Sequence, residues 1–254
     1  MAKKDAVRDT LRDNLKALRL ATMRNCFEEL ADQARQESLS YERYLLELTV
    51  REAEERRSRR TERLLKASQL PLEKSLAAFD RKRLPTRVNQ QLATLLEGSF
   101  LDRHENVLAF GTVGGGKSHA LCALAQELIV TQGRRMVFCK CALLVQELLR
   151  AKRDLKLARV LKRLAGVEGL LIDDIGYVQQ GREEMEVLFT LLAERYERGS
   201  VLLTSNLPFS KWEQIFKDAM TTAAAIDRLV HHSVILELNL PSYRMEQAKK
   251  KRAG

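Results

Sequence analysis

The sequence contains no apolar run approaching the roughly 18–20 residues that cross a bilayer. Its opening residues, MAKKDAVRDTLRDNL, hold no apolar centre of the kind a secretory signal carries. Cysteine is scarce: Cys26, Cys122, Cys139 and Cys141 show neither CxxC spacing nor disulfide density, so neither a cysteine metal site nor a disulfide framework is expected. There is no internal repeat and no low-complexity tract. These absences point to a cytoplasmic protein with no membrane partner.

What is present is a chain of 254 residues, 45% apolar and 31% charged, the composition of a globular protein with a buried core. The formal net charge is +10, which favours an anionic partner, nucleic acid being the usual one. The first part reads as helix. Leu11, Leu15, Leu18, Phe27, Leu30 and Ala34 recur at helical spacing, and Tyr41, Tyr44, Leu45 and Leu48 make a second apolar side. That second helix continues into REAEERRSRRTERLLKA, where Arg56, Arg57, Arg59, Arg60, Arg63 and Lys66 crowd a surface with few apolar positions. Pro71 and Pro85 bracket a weakly patterned, basic connector. The expected organisation is a helical domain over residues 1–70 and a second domain over 71–254.

From Val107 the grain changes. Apolar strand-like runs at 107–110, 136–139, 170–173, 201–206 and 234–238 alternate with helix-like segments at about 117–131, 142–164, 182–197 and 210–231. Such alternation predicts a parallel sheet with helices on both faces.

After the first of these runs comes GTVGGGKSHA, which fits G-x-x-x-x-G-K-[ST] as Gly111, Gly116, Lys117 and Ser118. Polyphosphate has to be wrapped by backbone N–H groups. Gly111, Gly114, Gly115 and Gly116 let the chain take unusual dihedrals with no side chain in the way. Thr112 and Val113 complete the loop, and His119 follows it. A helix starting near Lys117 would aim its free N–H groups at the phosphates. Lys117 would reach the β- and γ-phosphates of ATP, and the Ser118 hydroxyl would ligate Mg²⁺.

The third strand ends in Asp173-Asp174, a costly pair to bury unless a cation sits there. In parallel sheets ligands gather at the carboxyl ends of strands. Asp173 would hold Mg²⁺ and Asp174 would polarise an attacking water. The fourth strand ends in Thr-Ser-Asn206, and Asn206 is placed to hold that water against Asp174.

Taken in order and spacing, GTVGGGKSHAL, LLIDDIGYV, REEMEVLFTLLAERYERGSVLLTSNLPFSKWEQIF, AAAIDRLVHHSVILEL and SYR resemble the IstB family. Its members are ATP-binding helper proteins of bacterial insertion sequences. They form a branch of the AAA+ ATPases close to the DnaC helicase loaders and the DnaA initiators. The resemblance extends over nearly the whole chain, LKALRLATMRNCFEEL included. It implies an AAA+ P-loop NTPase fold, a five-stranded parallel sheet between helices with a reduced or absent lid, joined to a small all-α N-terminal domain. It also implies ATP bound between neighbouring copies, and therefore self-assembly on DNA. Asn206 matches the sensor-1 position. Arg228 matches the place of an arginine finger, and Arg244 falls where a sensor-2-like role is implied.

Two departures from the AAA+ pattern matter. Many such strands end Asp-Glu, whereas this one ends Asp-Asp, withdrawing the second carboxylate by roughly 1.5 Å and predicting slow hydrolysis. Only 16 residues follow Leu238, too few for a helical lid, so closure over the nucleotide is expected from a neighbouring copy or from the N-terminal part.

Two basic tracts compete for DNA: the helix from Arg56 to Lys66, and residues 150–163, which include Lys152, Arg153, Lys156 and Arg159. Neither has interleaved aromatics for base stacking. Both suit phosphate contacts on duplex DNA. The leading expectation is an ATP-dependent DNA-binding ATPase that self-assembles on duplex DNA and assists a cognate transposase in target selection or strand transfer. A DnaC-like loader that engages single-stranded DNA, and a nucleotide-gated scaffold that hardly turns ATP over, are the alternatives.

Overall fold

The computed structural model describes residues 2–176, 181–216, 218–243 and 245–246. It divides into two compact units, Met1–Arg63 and Leu64–Gly254.

The first unit is helical. Helices α1 (Ala2–Ala17) and α2 (Ala21–Gln36) are followed by α3 (Tyr41–Ser68), whose last turns belong to the second unit. Leu15, Met23, Phe27, Leu30 and Leu48 form its core. The apolar stripe that begins at Leu11 is not one helix. Arg19 takes a left-handed turn (φ 56°), and the N–H of Leu20 reaches back to the Leu15 carbonyl (2.8 Å). The stripe rotates at this turn, and Leu18 stays exposed. Tyr41 and Leu45, read as part of the second apolar side, are also exposed, while Tyr44 and Leu48 turn inward. The buried Glu52 carboxylate accepts the N–H groups of Thr22 and Met23 (2.8 and 3.0 Å), capping the start of α2, and also takes Arg56 Nε (2.8 Å).

In the second unit, α4 (Thr86–Leu96) and the short α5 (Ser99–Asp102) precede β1 (Asn106–Gly111). There follow α6 (Lys117–Gln132), β2 (Met136–Lys140), α7 (Cys141–Arg153), α8 (Leu157–Ala165), β3 (Gly169–Ile175) and α9 (Arg182–Arg195). Then come β4 (Ser200–Ser205), the one-turn α10 (Glu213–Phe216), α11 (Ala219–Val230) and β5 (Ser233–Leu238). The sheet order is β2-β3-β4-β1-β5, and every pairing is parallel.

Successive strand residues face opposite sides. Val107, Ala109, Leu171 and Leu202 enter one core with α4 and α6 residues. Leu108, Leu170, Ile172, Val201 and Leu203 enter the other, with α7, α9 and α11 residues. Both faces are covered, which is why these strands read as unbroken apolar runs instead of alternating ones.

The segment read as one helix over 142–164 is two, broken at Asp154–Lys156. The stem of the second is clamped by Arg195. This arginine is 2% exposed, and its guanidinium donates to the carbonyls of Leu164, Val167, Glu168 and Ser200. Burial drives its pKa down to about 10.

Candidate functional site

The loop after β1 is shaped by what cannot be placed in it. A Cβ on Gly111 (φ 143°) would lie 2.1 Å from the Leu238 carbonyl oxygen, and one on Gly114 (φ 80°) 2.2 Å from Ser242 Oγ. No L-side chain fits either position. The loop hands over to α6 at Lys117, the first helical residue. Lys117 is 7% exposed, and its ammonium donates to the carbonyls of Gly111 and Thr112, each at 2.9 Å. A buried cation must find acceptors, and these carbonyls supply them. Ser118, half-buried, occupies the second helical position, where backbone N–H groups have no partner within the helix.

The end of β3 carries the second group. The β3–β4 register slips between Ile172 and Ile175, and Asp174 sits in the left-handed region (φ 61°). An irregularity of this kind re-aims side chains. Asp173 stays buried at 4% exposure while Asp174 comes to the surface of the cavity. Thr204 joins the two: its hydroxyl donates to Asp173 Oδ1 (2.6 Å), and its oxygen accepts the N–H of Asp174 (2.8 Å). The sequence marks Thr204 only as part of the polar strand end Thr-Ser-Asn and gives it no role of its own, because a threonine within an apolar strand looks like an ordinary β-former. Asp173 also reaches electrostatically to Cys122, one turn beyond Ser118. Burial pushes that thiol up to about 12; Lys74 opposes the shift and Asp173 adds to it.

Val113, Gly114, Gly115, Gly116, Lys117, Ser118, His119, Asp174 and Asn206 all line one cavity of about 460 Å³. Thr112 is exposed beside it, its hydroxyl bound to the Leu240 carbonyl. His119 is tethered, Nε2 to the Ser75 carbonyl at 3.0 Å, with its ring 4.9 Å from that of Phe79.

Two further walls were not foreseen. The connector contributes Lys74, Ala78, Phe79, Asp80, Arg83 and Leu84. A lone phenylalanine in the otherwise basic stretch AAFDRKRLP was the available signal. The residues after β5 contribute Leu240 and Tyr243. The Tyr243 N–H bonds the Gly114 carbonyl (3.1 Å), and Arg83 lies over the Tyr243 ring (5.1 Å) and donates to the Pro241 carbonyl (3.1 Å). The segment after Leu238 lies as a strap against the loop within the same chain, irregular over residues 239–242 and helical from Tyr243. Arg244 lies outside the described residues.

Arg228 is elsewhere. The cavity lies at the carboxyl end of β1, while Arg228 lines a smaller cavity of about 240 Å³ with Asn106, Arg103 and His232, beside the starts of β1 and β5. Its guanidinium stacks on Phe189 (4.6 Å), and its buried Nη1 has no hydrogen-bond partner among the described residues. Asn106 fixes the backbone there, its Nδ2 donating to the Leu229 carbonyl (3.0 Å) and its Oδ1 accepting the Val201 N–H (2.8 Å). Arg228 and the phosphate loop of one chain are not brought together.

Both basic tracts are at the surface. Arg56, Arg57, Arg59, Arg60, Arg63 and Lys66 are exposed, with Arg56 paired to Glu52 and Arg59 to Glu55. Lys152, Arg153, Lys156 and Arg159 are exposed on and after α7, with Lys152 held by Glu186 (2.9 Å). No helix among the described residues is long and apolar enough to cross a membrane.

The profile of the IstB-like ATP binding protein family matches residues 13–252. The chain belongs to that family. It is 39% identical to an insertion sequence ATP-binding protein of Sinorhizobium fredii over 92% of this chain and 78% of that one. It is 36% identical to the ATP-binding protein named for insertion sequence IS21 in Pseudomonas aeruginosa, over 88% and 84% respectively. Among solved structures, the DnaC helicase loader superposes with a TM-score of 0.58 at 14% identity, covering 66% of this chain and 98% of that one. The fold is that of an AAA+ domain, so the sheet, loop and paired-acid strand of this IstB-like chain follow the architecture that the sequence predicted.

Proposed function

We propose that this chain is an ATP hydrolase that binds ATP with Mg²⁺, assembles with copies of itself on duplex DNA, and assists a transposase in choosing or joining its target. The observation that carries the reading is the sharing of one cavity by Gly114–Ser118, Asp174 and Asn206. In it, loop N–H groups and the start of α6 bind a polyphosphate. Lys117 exchanges the carbonyls of Gly111 and Thr112 for phosphate oxygens. Asp174 and Asn206 hold a water in line with the terminal phosphorus; as the water attacks, the carboxylate takes its proton and the bond from that phosphorus to the bridging oxygen breaks, releasing ADP and phosphate.

The residues fit a magnesium ion. Asp173 is a buried carboxylate whose hydrogen bond among the described residues comes from one hydroxyl, and the Ser118 hydroxyl stands at the helix start. Those two would hold the ion, which supplies charge neutralisation between the outer phosphates.

Arg228 serves a neighbouring copy's site. Its separation from the loop of its own chain, together with a buried nitrogen that has no hydrogen-bond partner among the described residues, supports that role. Phe79, Leu84, Leu240 and Tyr243 supply apolar wall for the nucleotide's base and sugar.

The deciding experiment is assembly of the protein on a duplex, with and without ATP, followed by light scattering. Lys117→Ala should abolish the ATP-dependent part, and assembly that survives it would refute the cradle. Running the same assay on single-stranded DNA separates this reading from a helicase loader, for which the single strand would be the stronger partner.

A further inference from the structure

The turn between α7 and α8 is built against its own local chemistry. Lys156 donates its N–H to the Ala151 carbonyl (2.8 Å), and Leu155 donates to that of Lys152 (3.2 Å). This pair of bonds closes a helix end whose left-handed residue is usually glycine or asparagine. Here that residue is leucine, at φ 57°, and it is 94% exposed. Leu155 therefore neither suits its backbone nor fills a core. A residue that breaks both local rules has its reason outside the fold.

Its surroundings indicate the reason. Lys152, Arg153, Lys156 and Arg159 surround the tip, all exposed. Asp154 pairs loosely with Lys156 (3.9 Å) and Glu186 with Lys152 (2.9 Å), exposed contacts that a polyanion displaces readily. Arg153 and Arg159 make no ion pair among the described residues. The tip is also firmly mounted. Leu157, Val160, Leu161 and Leu164 anchor α8 in the core, and Arg195 clamps the Leu164 carbonyl.

We propose that Leu155 is an apolar wedge that enters duplex DNA between neighbouring base pairs from the minor groove, while the flanking cations hold the phosphates. Aliphatic side chains used in this way partly unstack one step and kink the duplex. The wedge reads no base edge, so its preference is for steps that yield easily, the pyrimidine–purine ones. The inference rests on the reading that this tract binds duplex DNA.

The test uses the full chain with Mg²⁺, a non-hydrolysable ATP analogue and a duplex of about 30 base pairs, comparable to the short bent sites for which smooth bending is costly. The duplex carries a donor and an acceptor dye at its ends and 2-aminopurine near its centre. The wild-type protein should draw the ends together and raise the 2-aminopurine emission. Leu155→Asn suits the left-handed backbone and removes the wedge. It should bind within about threefold of wild type with the same salt slope, since the phosphate contacts remain, yet lose most of both signals. Its melting temperature should equal or exceed that of wild type. Arg153→Gln should do the opposite, lowering the salt slope by about 1 while the complexes that form still bend. Wild-type-like bending by Leu155→Asn would overturn the wedge. So would a variant that keeps both DNA signals and loses only stimulation of a transposase, since the leucine would then be docking protein. Failure of the wild-type protein to bind duplex would remove the DNA reading itself, whereas binding with neither signal removes the wedge alone.

Discussion

At the scale of single residues, the site depends on one hydroxyl. Thr204 meets Asp173 through its proton and Asp174 through its oxygen, so it fixes the angle between the acid proposed for the metal and the acid proposed for the water. Thr204→Val keeps the shape and deletes both bonds. Leaving buried polar groups unpaired costs about 1–3 kcal/mol of stability, and misplacing a reacting group by about 1 Å costs on the order of 100-fold in rate. Turnover should therefore fall much further than ATP affinity. Nucleotide titration beside steady-state hydrolysis checks this, and equal losses in both would mean that Thr204 serves only the fold. Asp174→Asn is the companion variant. Asparagine tolerates the left-handed backbone as aspartate does, so binding should persist while hydrolysis stops, leaving over-stable complexes with DNA. A variant that still turns over would relieve Asp174 of its role. The loop, the paired acids and Asn206 were legible in the sequence because their chemistry demands particular residue types at fixed spacing. Thr204, Phe79 and Tyr243 were not, because they reach the site through the register of β4, a connector far upstream and a strap far downstream; of the three only Phe79, alone in a basic stretch, leaves a local trace.

At the scale of elements, legibility followed periodicity. The five strands stand within a residue or two of their expected places because burial on both faces leaves unbroken apolar runs. Helix ends were harder. The break inside 142–164 is occupied by Leu155 where glycine would have announced it, and the break near Arg19 has no glycine either. The short N-terminal helices hold together through tertiary contacts, and Glu52 on α3 is one of them. Burial raises its pKa, but the N–H groups of Met23 and Thr22, together with Arg56, more than offset this and carry it below its ordinary value of 4.5. Because its folded pKa lies below the unfolded one, its contribution is full above pH 4.5 and fades as pH falls through the depressed value. Comparing melting of the full chain with Glu52→Gln from pH 7 to about 3.5 reads this directly. The gap between the two should narrow on acidification, and a constant gap would show that the carboxylate's charge is irrelevant there.

At the scale of the whole molecule, charge and symmetry decide behaviour. A net charge of +10, with two exposed basic tracts, predicts binding dominated by phosphate contacts. If about 6–10 of them form, affinity should drop by roughly 10³–10⁵ between 50 and 200 mM salt. Fluorescence anisotropy on a labelled duplex measures that slope, and a flat dependence would mean that the tracts do not touch DNA. Arg228 calls for a mixing experiment. Arg228→Ala should cripple hydrolysis and spare nucleotide affinity, and adding Lys117→Ala protein should restore part of the activity if the guanidinium acts on the neighbour's phosphate. Without rescue, its stacking on Phe189 would be structural.

The sheet order has a further consequence for how the protein is made. Strand β1, which carries the phosphate loop, is paired on one side with β4 and on the other with β5. Both of its neighbours are synthesised much later than β1 itself, and contacts so distant along the chain form slowly. The loop thus acquires Asn206, Leu240 and Tyr243 as neighbours only after β4 and β5 have been made. Chains that stop before β4 should bind nucleotide poorly.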